Sequence, residues 1–377
     1  MISARVCRGG DANCYHRRVK ADDTDTLRRD LLNWFAVHRR RMPIRETRDP
    51  WAVWVSEIIL QQTTVSAGLP YWERFMRLFP TVTALATAPL EDVLRAWAGL
   101  GYYSRARNLH KAAAMVVANG GGIPDTMEGL LALPGVGRYT AGAILSFAFG
   151  KDATVVDANI ARVLARLEGV EGDPKASTVQ RVLRNTAERL LPREESRDWN
   201  LALMDLGAGI CSPVQPSCPT CPLSAFCRAF RSNRQAELGV SPPRPPMTEQ
   251  TDVAIVLTDD AGRIALVRRP YEGVWGGLWE VPRVTMNEDE TPEQAAVRAG
   301  IERLEVQIAP GPVVATIRHT VMRRRITLRS FEAQLTGEGF EETEDRRWVT
   351  PESARGYPLS SPQRRLMETL RTSDLQV

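Results

Sequence analysis

The chain has 377 residues, of which 43% are hydrophobic and 25% charged, with a formal net charge of +4 at pH 7. That length exceeds one compact core and suits two domains of roughly 150 residues each, and the composition excludes a disordered or fibrous protein. The charge is too small to argue for nucleic acid by itself, although 45 of the 49 basic residues are arginine, the side chain suited to bidentate phosphate contacts.

Residues 1–23 mix five basic and three acidic groups and are expected to form a disordered extension. No apolar run reaches the length of a membrane span or follows a signal-peptide pattern, so retention in a bacterial cytosol or nucleoid is expected. From 24 to 230 the chain reads as a succession of amphipathic helices. Thr24–Arg41 sets Leu27, Leu31, Leu32, Trp34 and Phe35 on one face. Trp51–Gln62 follows Asp49-Pro50, a helix start with proline near the first turn. Helical patterns recur at 67–79, 89–98, 103–118, 126–132, 138–149, 157–168, 176–191 and 199–209.

A Pro-rich linker is expected over 231–250, where Gly239-Val-Ser-Pro-Pro-Arg-Pro-Pro-Met247 resists helix and central strand alike. Beyond it, Asp252–Leu257, Arg263–Arg268 and Arg325–Leu335 have strand composition, and Thr291–Leu304 has a helical pattern. The acidic run Glu338–Asp345 marks a solvated loop. A small α+β domain over 251–370 with a tail at 371–377 fits this texture.

Three features carry chemistry. Cys211, Cys218, Cys221 and Cys227 follow a C-x6-C-x2-C-x5-C pattern among four prolines. Four thiolates complete either a [4Fe–4S] cluster or one zinc, and the six-residue gap departs from common zinc-finger spacing, which favours iron–sulfur. Cys7 and Cys14 lack a second pair and read as incidental. Next, Leu133-Pro-Gly-Val-Gly137 lies between helical patterns. Gly135 and Gly137 permit a tight turn, and the amides opening the next helix suit a phosphate of a nucleic-acid backbone; plain helix–turn–helix packing is the bland alternative. Finally, Glu57 stands in the apolar helix Trp51–Leu60, and Asp157 follows the apolar Ala153–Val156. Glu57 is either an exposed polar face or a buried acid with a raised pKa, and Asp157 either a helix N-cap or an active carboxylate. A pair made of one protonated acid and one carboxylate is what cleavage of an N-glycosidic bond requires, by the logic of sugar hydrolases.

With Ser56-Glu57-Ile-Ile-Leu-Gln-Gln-Thr63, Gly99-Leu-Gly-Tyr-Tyr-Ser104, Leu133-Pro-Gly-Val-Gly-Arg-Tyr-Thr140, Val156-Asp-Ala-Asn159 and the four-cysteine loop in this order, the chain resembles the MutY family of adenine DNA glycosylases in the helix-hairpin-helix glycosylase superfamily. The resemblance implies a mostly α helix-hairpin-helix glycosylase domain over 24–230, including an iron–sulfur loop at 211–227, followed by a small α+β Nudix-like domain. It implies that Glu57 protonates the adenine, that Asp157 stabilises the cationic sugar, and that Tyr139 and Asn159 support the reacting centre. Gln62 and Tyr102 would wedge into the opened duplex, with Arg45, Gly135 and Gly137 also on DNA. The cysteines would hold a [4Fe–4S] cluster, and the partner would be double-stranded DNA bearing a mismatch or lesion, bound by a monomer. The related endonuclease III branch has lysine where Tyr139 stands, so a monofunctional glycosylase is implied.

The second domain resembles the Nudix-like domain of MutY proteins through Leu266-Val-Arg-Arg269 and Gly276-Gly-Leu-Trp-Glu-Val-Pro282. The clustered Arg-Glu and Glu-Glu of a Nudix hydrolase box are absent from Thr291–Val306, so pyrophosphate hydrolysis is not expected. Three positions depart from the family pattern. Val321-Met322-Arg323 replaces Phe-Ser-His, Leu201 stands where a Gln or Glu reads the adenine edge, and Ile44 where tryptophan is usual. Arg323, Arg324, Arg325 and Arg329 are candidates to grip phosphate. The expected reaction is excision of adenine opposite 8-oxoguanine or guanine. The alternatives are a MutY-like enzyme for another base, such as thymine opposite guanine or a modified purine, and a non-catalytic iron–sulfur DNA-binding protein, against which the presence of both Glu57 and Asp157 argues.

Overall fold

The computed structural model describes residues 21–243 and 245–373. Cys7, Cys14 and most of the expected extension lie outside them. The helices are α1 (Ala21–His38), α2 (Pro43–Glu46), α3 (Pro50–Leu60), α4 (Val65–Leu78), α5 (Val82–Thr87), α6 (Leu90–Trp97), α7 (Ser104–Ala118), α8 (Met127–Leu131), α9 (Arg138–Ala143), α10 (Ala158–Glu168), α11 (Ser177–Leu190), α12 (Ser196–Gly209) and α13 (Arg228–Arg231). Then follow β1 (Thr248–Leu257), β2 (Ile264–Arg268), β3 (Trp279–Glu280), β4 (Arg283–Thr285), α14 (Pro292–Leu304), β5 (Ile308–Val321), β6 (Arg324–Leu335), β7 (Arg346–Val349) and α15 (Ser361–Ser373). The fold is thus a helical amino-terminal part and a carboxy-terminal part with sheets. No helix among the described residues is long and apolar enough to cross a membrane.

Several boundaries move from their expected places. Ala21–Asp23 already belong to α1, and α15 runs on to Ser373. The third helix stops at Leu60 rather than Gln62, because Gln62 adopts a left-handed φ of 61° that no α-helix continues through. The 138–149 helix is α only to Ala143 and becomes a π-turn over Ile144–Ala148. The first part of the expected linker is tied down: Arg166 Nε donates to Leu238 O at 3.1 Å, Ser241 Oγ donates to Asp173, and Leu238 is 4% exposed. Its last residues open β1.

The chain folds as two compact units. One joins the chain up to Ile58 with Ile123–Pro243; the other joins Ile59–Gly122 with the chain from Arg244. In the first unit, α3 is apolar all round, with Trp51, Val53, Trp54, Val55 and Ile58 nearly inaccessible, the pattern of a core helix rather than a surface one. Helices α10 and α12 pack on each other and bury Ile160, Leu164, Trp199 and Leu203.

In the second unit, α4–α7 pack around Phe75, Leu85, Trp97 and Leu109, with Phe75 set edge-on to Trp97 at 5.7 Å. A four-stranded sheet of order β4-β1-β6-β5 and a three-stranded sheet of order β3-β2-β7 make the rest. The run Val253–Leu257 is buried on both faces, as a central strand requires. Val253, Ile255 and Leu257 meet Ala295 and Ala299 of α14; Ala254 and Val256 meet Leu266, Trp279 and Leu366. Strand β5 is an element the composition does not announce, because Pro310 and Pro312 interrupt its pattern; it is an edge strand whose register shifts between Pro310 and Ala315. Glu338–Asp345 is an exposed loop, as expected.

Candidate active site

Glu57 is fixed by helix α3, where the turns on both sides are buried and the residue is left only 9% exposed. Burying a charge without compensation is costly, so the neutral form is favoured. Tyr139 Oη donates to Glu57 Oε2 at 2.6 Å. Burial pushes the Glu57 pKa up to about 7; the Tyr139 hydrogen bond lowers it, the Asp157 charge raises it and Arg45 lowers it. The acid therefore changes charge near neutrality.

Tyr139 is delivered by the glycine turn. Gly135 has φ +78°, a conformation other residues rarely take, and Gly137 is the N-cap of α9 with open space where a Cβ would stand. One turn further on, Gly142 is needed for another reason: a Cβ there would lie 2.2 Å from Thr154 O. That close approach brings α9 against the segment leading into Asp157.

Asp157 is the N-cap its sequence allowed, and it stays close enough to Glu57 and Tyr139 to act on them by charge. Its Oδ1 accepts from Ile160 N at 2.7 Å, which makes it the N-cap of α10, and its Oδ2 accepts from Asn159 Nδ2 at 3.2 Å. Burial still holds its pKa above the usual aspartate range, against those hydrogen bonds. Its charge also acts on Glu57 and Tyr139, so the two acids share one site. Glu57 is buried, whereas Tyr139, Asp157 and Asn159 keep part of their surface open to solvent.

Arg45 completes the cluster. Its Nη1 donates to Asp205 Oδ2 at 2.9 Å, and Asp205 also takes Arg40 Nε at 2.5 Å, with only 2% of the Asp205 side chain exposed. A cavity of about 450 Å³ opens beside it, lined among others by Phe35, Arg40, Arg45, Arg197 and Leu201. Ile44 and Leu201 are both buried. Asp205 went unnoticed in the sequence, yet it carries the same signal as Glu57, an acid inside the apolar run Leu201–Gly207.

Helix α10 runs from this site to the cysteines. Asn159 Oδ1 accepts from Arg162 Nη2 at 2.9 Å, and Arg162 Nε donates to Cys211 O at 2.8 Å. Arg166, 1% exposed, places Nη1 3.4 Å from Cys211 Sγ and donates to Ser212 O. Cys211, Cys218, Cys221 and Cys227 are free thiols. Burial raises the Cys218 and Cys227 thiols and pushes Cys221 up to about 12. Such thiols ionise only beside a strong positive charge. Among the described residues no group of three or more His, Cys, Asp or Glu is gathered as a preformed site for a metal ion. The donor set, four free sulfurs in one loop with a buried guanidinium beside the first, fits a cluster that takes one thiolate per iron.

Gln62 and Tyr102 belong to the second unit. Both are exposed, and both are left-handed, at φ 61° and 47°. Arg323 and Arg324 are exposed near the β5–β6 turn, where Met322 is 71% exposed; Arg325 pairs with Glu249 and Arg329 lies over Phe331.

Residues 55–189 match the family model described as HhH-GPD superfamily base excision DNA repair protein, and residues 253–369 match that of the NUDIX domain. The chain is 34% identical to the adenine DNA glycosylase of Rattus norvegicus over 93% of its own length and 79% of that protein. It is 41% identical to the adenine DNA glycosylase of Mycobacterium tuberculosis over 52% of its length and 64% of that protein. Among solved structures, a thermostable thymine-DNA glycosylase superposes with TM-score 0.52 at 32% identity, covering 55% of this chain and 97% of that one. A non-covalent endonuclease III–DNA complex superposes with TM-score 0.50 at 26% identity, covering 57% and 99%. With these likenesses beside the buried Glu57, its Tyr139 partner and the neighbouring Asp157, the chain belongs to the MutY family of adenine DNA glycosylases, in the HhH-GPD superfamily of base excision repair proteins.

Proposed function

We propose that this glycosylase hydrolyses the N-glycosidic bond of adenine mispaired with 8-oxoguanine or guanine and leaves an abasic site without cutting the strand. The observation that carries the reading is the buried Glu57–Tyr139 pair, with an acid that ionises at about 7, beside a second carboxylate. Glu57 delivers its proton to the departing base as the bond to C1′ breaks. Asp157, ionised, faces the positive charge that develops on the sugar, and water then adds at C1′. Asn159 holds Asp157 Oδ2, and Tyr139 holds the Glu57 carboxyl.

The amines of the described residues support monofunctionality. The groups acting on Glu57 are Tyr139, Asp157 and Arg45, and Lys151 is engaged with Asp125 at 2.6 Å. A Schiff base with the sugar needs a neutral amine at the reacting carbon. Borohydride trapping on a cleavable duplex should therefore yield no covalent adduct. Cys211, Cys218, Cys221 and Cys227 would hold a [4Fe–4S] cluster, which supplies loop structure and positive charge and takes no part in the bond cleavage. The partner is duplex DNA bearing the mispair, bound by the monomer; Arg45, Gly135 and Gly137 in the first unit, and Gln62 and Tyr102 in the second, are the residues proposed to contact it.

The test is a panel of duplexes with adenine opposite 8-oxoguanine, guanine or cytosine, and thymine opposite guanine, scored for alkali-labile sites. Fastest cleavage at adenine opposite 8-oxoguanine supports the reading. A specific observation favours thymine opposite guanine as second reading: Leu201 puts a buried apolar side chain where a polar adenine reader is usual. Faster release of thymine would replace the first reading with the second.

A further inference from the structure

Gln62 and Tyr102 lie forty residues apart in sequence, yet the structure treats them alike. Each is exposed and each is a non-glycine residue in the left-handed region. Such conformations persist only where the surroundings over-determine them, and they cluster at functional sites. Packing of their own side chains does not explain them, since Tyr102 is 51% exposed.

One guanidinium explains both. Arg105 Nη1 donates to Ile59 O at 3.1 Å and to Gln61 O, and its Nη2 donates to Leu100 O and Gly101 O, each at 3.2 Å. Gln61 O and Gly101 O are the carbonyls immediately before Gln62 and Tyr102, so the same planar group orients the peptide that launches each residue. The fork is itself held: it lies 5.3 Å from the Trp97 ring and 5.5 Å from the Tyr102 ring, and Trp97 Nε1 donates to Gly101 O at 3.0 Å. Burial draws the Arg105 pKa down to about 10, which leaves it charged at neutral pH.

We propose that Arg105 is the positioning residue that sets Gln62 and Tyr102 as a rigid two-pronged wedge against duplex DNA. The inference rests on the reading of this protein as a mispair glycosylase. The chemistry of the prongs suits a disrupted base step: an aromatic ring on which a neighbouring base can stack, and a carboxamide that donates to and accepts from exposed base edges. Extruding a base costs unstacking energy, and a wedge already ordered does not have to be ordered on contact. Lysine would keep the charge of Arg105 but lose the planar fork that spans two loops.

The test uses the full chain and duplexes with 2-aminopurine beside adenine opposite 8-oxoguanine, adenine opposite guanine, or thymine opposite guanine. Stopped-flow emission before base release reports unstacking. We expect the wild type to raise emission on at least one duplex and R105K to lower that amplitude about tenfold, the scale on which a residue strained by about 1.4 kcal/mol loses its population. The Q62A/Y102A/R105K triple variant should be no worse than Q62A/Y102A, because the arginine acts through the two prongs; a merely structural role would make the losses multiply. An R105K amplitude equal to wild type, a triple variant below Q62A/Y102A, or no wild-type rise on any duplex would overturn the proposal. If R105K loses its far-ultraviolet ellipticity, G101A takes its place: the site has room for a methyl group, but its φ of +67° opposes one, so the same turn loosens and the same loss is expected. The same emission pattern without adenine release would sink the adenine reading and leave the two-loop assignment standing.

Discussion

Tyr139 Oη and Glu57 Oε2 are 2.6 Å apart, and the hydroxyl donates to a carboxyl that burial holds at about 7. Tyr139 therefore restrains a pKa that would otherwise climb further. In the proposed role of Glu57 the active form is protonated, so base release should fall as pH rises through about 7. In Y139F the restraint is gone, and the falling limb should move to higher pH by about one unit, the worth of one hydrogen bond to a carboxylate. Single-turnover rates from pH 5 to 9 check this; a limb that moves down or stays in place would refute the assignment.

The same burial makes Glu57 a burden on stability. Its folded pKa lies above the ordinary 4.5, so its favourable contribution is complete below that value and is lost as pH rises through about 7. At pH 8 the folded protein carries a buried carboxylate at a cost on the order of 3 kcal/mol. E57Q should abolish base release and yet stabilise the protein at pH 8 by about 2 kcal/mol, with the difference vanishing near pH 4.5. Urea unfolding at the two pH values decides it, and equal gains at both would point to packing rather than charge.

Asp157 separates capping from chemistry. Asparagine is as good an N-cap as aspartate, so D157N should keep the bond from Ile160 N and change stability by less than about 1 kcal/mol. The negative charge proposed to face the sugar is lost, and the rate should drop about 10³-fold. Thermal unfolding beside single-turnover kinetics tests the pair of claims together.

Much of this was legible in the sequence because acids in apolar runs are rare and the cysteine spacing is local. Glu57 and Asp157 stand out by their apolar flanks and the cysteine loop by its spacing, whereas Tyr139 enters only through the family resemblance. Arg105 could not be placed without coordinates, because its acceptors at Ile59 and Gln61 are more than forty residues away and carbonyls carry no sequence signal. Strand β5 was hidden by its prolines, and the grouping of Ile59–Gly122 with the carboxy-terminal domain depends on long-range packing that no periodicity encodes.

The cysteine loop gives a prediction in the visible spectrum. Cys221 is pushed up to about 12 by burial, and it would give up its proton only to a bound cation. The purified protein should be straw-brown and contain about four iron atoms per chain, one for each thiolate. C221S should lose most of that colour and unfold at lower temperature. A colourless wild type with stoichiometric zinc would replace the cluster with a single-ion site.

Asp205 offers the opposite perturbation to Tyr139. Its buried carboxylate neutralises Arg40 and Arg45, and Arg45 in turn lowers the Glu57 pKa. D205N keeps an acceptor for Arg45 but removes the compensating charge, so the arginine acts on Glu57 with less opposition. The falling limb should then move to lower pH, while the exposed Arg40 and partly buried Arg45 lose their charged partner and stability falls by about 1 kcal/mol. Loss of Arg45 itself should reverse the sign, so R45Q should behave in pH like Y139F. Y139F and D205N moving the limb in opposite directions is a result that general loosening of the fold cannot produce, since loosening would admit water and draw the Glu57 pKa down towards its ordinary value in both.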